Sequence, residues 1–245
     1  MHKPPISVRV NLSHPNNYEV IIGQNILETC GEKIAQQIYS QRCVIISDSN
    51  VAPLYADQVK QSLIKSGISS NTVTVPAGES SKFLSQVEGI CREMITNGHD
   101  RHSFVIALGG GVIGDLAGLV AAIFYRGIPL IQIPTTIVSQ VDSSIGGKTG
   151  VNAPEGKNLI GAFHQPKLVI ADTMTLKTLP EREFNEGFAE AIKHAAIRDG
   201  DMLEEIVSVN ASSDLDSLIA KNVAIKARVV EEDEKELLGT RAHLN

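Results

Sequence analysis

Short, nearly unbroken apolar runs recur along the first two thirds of the chain and alternate with stretches of helical spacing. Residues 43–47, 72–75, 104–108, 130–133 and 168–171 are rich in Val, Ile and Leu, the pattern of parallel strands covered on both faces. Between them, residues 52–66 and 83–97 place apolar side chains at helical intervals, and Gly67 and Gly98 stand where helices end. Ahead of this series, residues 7–12 and 18–22 flank His14-Pro-Asn-Asn17 and read as an opening hairpin. The pattern predicts a doubly wound α/β domain over residues 1–173. From residue 174 strands disappear. Thr178-Leu-Pro-Glu181 has the form of a capping box with proline in the first turn, opening a helix to about residue 197. Residues 202–209 and 215–230 continue as helices, so 174–245 is all-α and short for an independent domain.

Composition narrows the partners. The 245 residues are 42% hydrophobic and 20% charged, enough to bury a core. A net charge of -6 argues against nucleic acid or an anionic membrane, so any anion site must be a local cluster of cations. Cys30, Cys43 and Cys91 have no metal or redox spacing; buried reduced thiols, in a cytoplasmic protein, are the expectation. The first residues lack the apolar stretch of a signal peptide, and the longest apolar run, 116–124, is too short to span a bilayer.

Three places carry candidate chemistry. Gly109-Gly110-Gly111-Val112-Ile113-Gly114-Asp115 follows a strand and precedes a helix, the context of a pyrophosphate-binding turn. Glycine for packing alone would also explain it. The acid that should hold a ribose ~20 residues on is absent, since Leu130-Ile-Gln-Ile133 stands there; Asp48 and Glu79, after earlier strands, are the replacements. Gly146-Gly-Lys148-Thr-Gly150 is not a phosphate loop of the Walker type, but Lys148, Lys157 and Asn158 suit an oxyanion. In the helix after Pro180, Gly187, Glu190, Lys193, His194 and Ile197 share a face. Glycine there allows close approach to something charged, such as a metal held by Glu190; a surface ion pair is the plainer reading. His194 has the spacing of a second ligand. Asn222 and Lys226 interrupt an apolar helix face, which is costly unless they are satisfied or used.

The ordered set of segments Pro76-Ala-Gly-Glu79-x-x-Lys82, Gly109–Asp115, Tyr125-Arg-Gly127, Pro134-Thr-Thr136 and Gln140-Val-Asp-Ser-Ser-Ile-Gly-Gly-Lys148 resembles 3-dehydroquinate synthases. So do Gly156-Lys-Asn158, Leu176-Lys-Thr-Leu-Pro180, Ala189-Glu-x-x-Lys193, Lys226-Ala-x-Val-Val230, Asp233-Glu234 and Arg241-x-x-Leu-Asn245, spread over the whole chain. The resemblance implies an α/β fold, a Rossmann-like N-terminal domain followed by the first part of an all-α domain. It implies a phosphate-eliminating lyase of the shikimate pathway, turning 3-deoxy-D-arabino-heptulosonate 7-phosphate into 3-dehydroquinate and phosphate. NAD oxidises the substrate, phosphate leaves, the ketone is reduced again and the ring closes by an aldol step, so NAD is recycled.

By the same resemblance, NAD contacts fall on Asp48, Glu79, Lys82, Gly110, Gly111, Val112, Asp115, Thr135, Thr136, Lys148, Lys157, Thr175, Thr178 and Leu179. Glu190 matches a ligand of a divalent metal, usually zinc, with cobalt as the alternative. Lys148, Asn158, Lys193, Lys226, Arg241 and Asn245 match substrate contacts, and Asp142 a contact with substrate hydroxyls. Arg126 matches an arginine offered across a homodimer interface built by the N-terminal domain. Two departures stand out. The stretch from Lys226 to Arg241 is one residue longer than the family spacing. The family's next segment, Gly-His-Thr with the second metal ligand, would follow Asn245, and neither His194 nor His243 falls at a family ligand position. Residues 1–245 alone are therefore expected to bind NAD and zinc weakly and to be inactive. Inosose- or valiolone-forming cyclases, or a non-catalytic NAD-binding fragment, are the competing readings.

Overall fold

The computed structural model describes residues 4–10, 17–209, 213, 215–239 and 241. Asn245 and His243, and the turn residues 11–16 between the first two strands, lie outside them.

The predicted strands form one seven-stranded sheet. In chain order they are β1 (Ile6–Val10), β2 (Tyr18–Gly23), β3 (Arg42–Asp48), β4 (Ser69–Val75), β5 (Phe104–Gly109), β6 (Leu130–Pro134) and, after a separate hairpin, β9 (Leu168–Asp172). Their order across the sheet is β1-β2-β9-β6-β5-β3-β4, parallel except for β1 against β2. The continuous apolar runs have their physical reason here: β5, β6 and β9 are buried at every position. One apolar layer packs α1 (Cys30–Gln37) and α2 (Ala52–Lys65) on one side of the sheet. On the other lie α3 (Leu84–Thr96) and α4 (Gly111–Ile123). Gly67 and Gly98 both hold φ +75, the left-handed turn that ends α2 and α3.

From β3 the chain moves outward to β4, then crosses back to β5 on the other side of β3. That reversal opens a crevice at the carboxyl ends of β3 and β5, where ligands settle in doubly wound sheets. The glycine turn and Asp48 flank it.

After β9 the described chain is helical: α5 (Glu181–Arg198), α6 (Asp201–Val207) and α7 (Asp216–Glu232). One core cluster joins Ile22, Val169 and Ala171 of the sheet to Ile219, Val223 and Val230 of α7, so the helices share apolar burial with the sheet. Among the described residues, no helix is long and apolar enough to cross a membrane.

Three expectations are corrected. Residues 148–163 are no loop but a second, two-stranded sheet, β7 (Lys148–Ala153) against β8 (Gly156–Phe163). Lys148 pairs with Phe163 at its open end while Lys157 sits exposed beside the turn, so the two lysines do not form one anion site. Thr178 does not cap α5: its hydroxyl donates to the Thr175 carbonyl at 3.0 Å and meets the Tyr55 hydroxyl at 2.6 Å. Gly187 does allow a close approach, but to an apolar group. A Cβ there would lie 2.5 Å from Ile137 Cβ.

Candidate active site

The crevice side of the site is assembled from strand ends. α4 begins at Gly111, directly after β5, so its first-turn N–H groups face the crevice with the positive end of the helix dipole behind them. Space is tight: a Cβ on Gly110 would press on Thr136 Cγ2, and one on Gly111 on Ser143 Oγ, each at 3.1 Å. Val112 beside them is half-buried. Gln132, standing where the ribose acid was missing, lies under this turn and donates from Nε2 to the Gly114 carbonyl at 3.2 Å. Its polarity serves the helix.

Asp48 closes β3 and accepts from the Asn50 and Val51 amides at 2.8 and 3.0 Å. Glu79 accepts from Asn152 Nδ2 at 2.8 Å, and Lys82 meets Asp115 at 2.5 Å. Burial pushes the Asp115 carboxyl up, and the Lys82 ammonium pulls it partly back. The Thr135 hydroxyl is buried without a hydrogen-bond partner among the described residues, whereas Thr136 and Ser139 exchange hydrogen bonds, their oxygens 2.8 Å apart. Thr175 is turned inward: its hydroxyl donates to the Asp172 carbonyl at 2.7 Å and accepts from Gln140 Nε2 at 3.2 Å. Thr178 is exposed and Leu179 half-buried at the rim of the core.

Beside the glycine helix lies a cavity of about 600 Å³ lined by Asp115, Asp142, Lys148, Asn158, Lys226 and Arg241, among others. These come from α4, the turn before β7, the hairpin, α7 and the chain after it. Asp115 therefore borders both the crevice and this cavity. Three cations, Lys148, Lys226 and Arg241, line it together with the carboxylates of Asp115, Asp142 and Glu236. Lys226 is only 5% exposed and is held against Asp142. Lys148 Nζ lies 2.7 Å from Glu236 Oε2. Arg241 is 2% exposed and donates to the Gly146 and Glu234 carbonyls at 3.1 and 2.7 Å. Gly146, at φ +91, is required: a Cβ would sit 2.5 Å from Arg241 Nη2. The one-residue departure from family spacing thus leaves Arg241 in the cavity wall.

Asp142 continues the site toward α5. Glu190 pairs with Lys193 at 2.5 Å, and His194 Nε2 lies 3.4 Å from Glu190 and 3.9 Å from Asp142. Burial opposes ionisation of Glu190, but His194 and Lys193 together draw its carboxyl down to about 2. Asp142, Glu190 and His194 are the single group of three potential metal-ligating side chains among the described residues.

Two contributors, Asn152 and Glu236, carry no signal in the sequence. Asn152 is buried and ties Glu79 to the Asn158 amide, which donates to its Oδ1 at 2.9 Å. Glu236 reaches Lys148 from beyond α7, whereas His194, offered by its spacing, does lie beside Glu190. Arg126 and Lys157 do not line the cavity. Arg126 is exposed at the end of α4, where it and Tyr125 hold φ +68 and +49, a conformation uncommon outside glycine.

The 3-dehydroquinate synthase N-terminal family matches residues 72–186 and the 3-dehydroquinate synthase C-terminal family residues 187–245. The 3-dehydroquinate synthase of Symbiobacterium thermophilum is 47% identical over 235 residues, covering 93% of this chain and 65% of its own length. That of Pelobacter propionicus is 46% identical over 243 residues, covering 96% and 67%. The chain thus spans about two thirds of the length of these relatives. Among solved structures, 2-deoxy-scyllo-inosose synthase complexed with carbaglucose-6-phosphate, NAD+ and Co2+ superposes with a TM-score of 0.84 at 26% identity, over 97% of this chain and 66% of that one. The 2-epi-5-epi-valiolone synthase of Streptomyces hygroscopicus with NAD+ and Zn2+ gives 0.81 at 28% identity, over 94% and 66%. Iron-containing alcohol dehydrogenases share the fold at lower identity, one with a TM-score of 0.68 at 16%. With the two family matches running in sequence over residues 72–245 and relatives 46–47% identical over most of the chain, the chain belongs to the 3-dehydroquinate synthase family.

Proposed function

We propose that this chain carries the nucleotide side and most of the substrate side of a 3-dehydroquinate synthase. The reaction converts 3-deoxy-D-arabino-heptulosonate 7-phosphate to 3-dehydroquinate and phosphate. The observation that carries the reading is the shared cavity: Asp115 of the glycine-turn helix, the three cations Lys148, Lys226 and Arg241, and Asp142 of the carboxylate–imidazole cluster line one space. A redox cofactor, a twice-anionic sugar and a divalent metal each find a matching wall. The two-unit division, 1–173 for the cofactor and 174–245 for metal and substrate, is supported by the strands ending at Asp172.

The residues fit the absent groups. For NAD, a Cβ would encroach on the cradle at Gly110 and Gly111, and the Thr135 hydroxyl is an unused donor. Asp48 and Glu79 stand at the strand ends as ribose acceptors, with Lys82, Val112, Asp115 and Thr136 around the diphosphate. Thr178 and Leu179 border the cofactor. Thr175 acts through the Gln140–Asp172 network that shapes this edge. For a metal, Glu190 and its neighbours offer oxygen and nitrogen donors of the kind zinc and cobalt take. When bound, NAD would take a hydride from the substrate alcohol and later return it, while the metal would acidify that alcohol.

The chain's own residues do the rest. Lys148, Lys193, Lys226 and Arg241 hold phosphate and carboxylate, with Asn158 as a directed donor. Asp142 accepts from substrate hydroxyls, which holds the reacting carbons in register. Exposed Arg126 suits a phosphate contact across a homodimer, and free, buried Cys30 and Cys43 suit a cytoplasmic protein.

The test is turnover with NAD+ and Zn2+ or Co2+, offering the heptulosonate phosphate, glucose 6-phosphate and sedoheptulose 7-phosphate in parallel. Phosphate release from the first alone is the expected result. Preference for either of the others moves the protein to the inosose- or valiolone-forming branch. In a form extended to the length of its relatives the protein is expected to turn over.

A further inference from the structure

Nothing in the apolar pattern of β2 calls for a hydroxyl at its first residue. The Tyr18 ring is buried in one apolar cluster with Ile145 and Val230, where a phenylalanine ring would pack equally. A buried tyrosine hydroxyl generally has a partner, and here the partner belongs to the cavity wall. The Gly146 amide donates to Tyr18 Oη at 3.0 Å. The carbonyl of the same glycine accepts from Arg241 Nη1 at 3.1 Å. Gly146 thus faces Tyr18 with its N–H and Arg241 with its C=O. It lies in the left-handed region, as does Gly147 at φ +65, so neither residue has a side chain to stiffen the turn. On its other side the turn is tied by the Gly147 carbonyl, which accepts from the His164 amide at 2.7 Å. Asp142 stands before these glycines and Lys148 directly after them, both lining the cavity. Burial pushes the Tyr18 hydroxyl up in pKa, so it stays neutral and leaves the charge of Arg241 for a ligand.

We propose that Tyr18 is a positioning residue for Arg241: its hydroxyl fixes the Gly146 turn, and the turn sets the angle at which the guanidinium meets the cavity. The inference rests on the reading of Arg241 as a contact for the substrate's anionic groups. Two peptide units meet at Gly146. With the first held by Tyr18, the second has only the φ and ψ of Gly146 left to move in. Without the hydroxyl, the Gly146 N–H becomes a buried donor lacking its partner, which the turn can relieve only by rotating. The carbonyl under Arg241 then shifts as well. That shift matters because a guanidinium recognises carboxylate or phosphate through a planar fork, whose tilt decides whether both hydrogen bonds form. The other supports of Arg241, the Glu234 carbonyl and the Phe163 ring 5.7 Å from Cζ, approach it from different segments.

The test uses a form extended to the length of its relatives, with the heptulosonate phosphate and NAD+. Tyr18→Phe keeps the ring and removes only the hydroxyl. It is expected to raise KM by about 3- to 10-fold, the value of one hydrogen bond, with kcat and NAD+ affinity essentially unchanged. A merely structural tyrosine would lower the melting temperature and the active fraction, and so kcat, with KM untouched; that outcome overturns the proposal. In an Arg241→Lys background no planar fork remains to be set, so adding Tyr18→Phe is expected to leave KM where it stands. The same rise in both backgrounds overturns the proposal, because Tyr18 then acts on another group. If Arg241→Lys raises KM and Tyr18→Phe does not, only the role of Tyr18 falls; if Arg241→Lys leaves KM unchanged, the reading of Arg241 falls and this proposal with it. Should Tyr18→Phe fail to fold, hydrogen exchange in the unsubstituted protein decides. The Gly146 amide is expected to be protected, and exchange as fast as in an open loop overturns the proposal.

Discussion

Asn152 Nδ2 lies 2.8 Å from Glu79 Oε1, a hydrogen bond that joins the hairpin to the loop after β4. The same residue accepts from the Asn158 amide, and its own amide donates to the Lys82 carbonyl at 2.8 Å. Asn152→Ala strips two partners from a buried position. It is expected to cost about 1–3 kcal/mol in urea unfolding and to weaken NAD binding, because Glu79 loses its anchor. Unchanged NAD affinity in a folded variant would speak against Glu79 as a cofactor contact.

Lys148 offers a cleaner separation of function from stability. Its side chain is 40% exposed and its partner Glu236 is itself accessible, so the pair contributes little to folding. In a form extended to the length of its relatives, Lys148→Ala is expected to lower kcat/KM for the heptulosonate phosphate by on the order of 100-fold, the value of a charge-assisted contact. The melting temperature should stay within a degree or two. Intact kinetics would remove Lys148 from the anion site.

Gly187→Ala reverses the usual sign of a helical substitution. Elsewhere in a helix alanine gains about 1 kcal/mol over glycine. Here the new methyl would lie 2.5 Å from Ile137 Cβ, a branch point that cannot swing away. We expect a net loss of about 1–3 kcal/mol by overpacking and weakened metal binding as Glu190 shifts. Thermal unfolding checks the first effect and Co2+ titration the second.

Two histidines set the acid side of stability. Burial lowers the pKa of His99, with Arg42 adding to the effect, and burial likewise lowers that of His164 despite its contact with the Ile128 carbonyl. Each is neutral when folded and takes up a proton more readily when unfolded. The unfolded chain therefore binds more protons once the pH falls below the ordinary histidine value of about 6.5. Stability is expected to be full above that pH and to decline as the pH drops toward the depressed folded values. His99→Gln should flatten the slope of unfolding free energy against pH between about 7.5 and 5.5, and an unchanged slope would refute the assignment.

The sheet strands were legible because burial on both faces leaves no room for polar punctuation, and the glycine caps because φ +75 excludes most other residues. The β7–β8 hairpin was not. Gly-Lys-Asn-Leu-Ile-Gly-Ala-Phe of β8 is exposed along most of its length, so no buried alternation marks it as a strand. The capping box at Thr178 failed because a nearer acceptor, the Thr175 carbonyl, and Tyr55 from α2 claim the hydroxyl. At the site, the cost of Asn222 and Lys226 on an apolar face could be read from sequence, but their partners could not. Asn222 finds His194 at 28 residues' distance, and Lys226 finds Asp142 from a different element.

The hairpin carries Asn152 toward the nucleotide crevice and Lys148 toward the anion cavity on one pair of strands. On the function proposed above, two ligands that need never touch would thereby be coupled through a single mechanical part. Whatever steadies Glu79 through Asn152 also steadies the strand from which Lys148 projects. Linkage requires the favour to be returned, so phosphate bound at Lys148 should tighten NAD by the same factor by which NAD tightens phosphate.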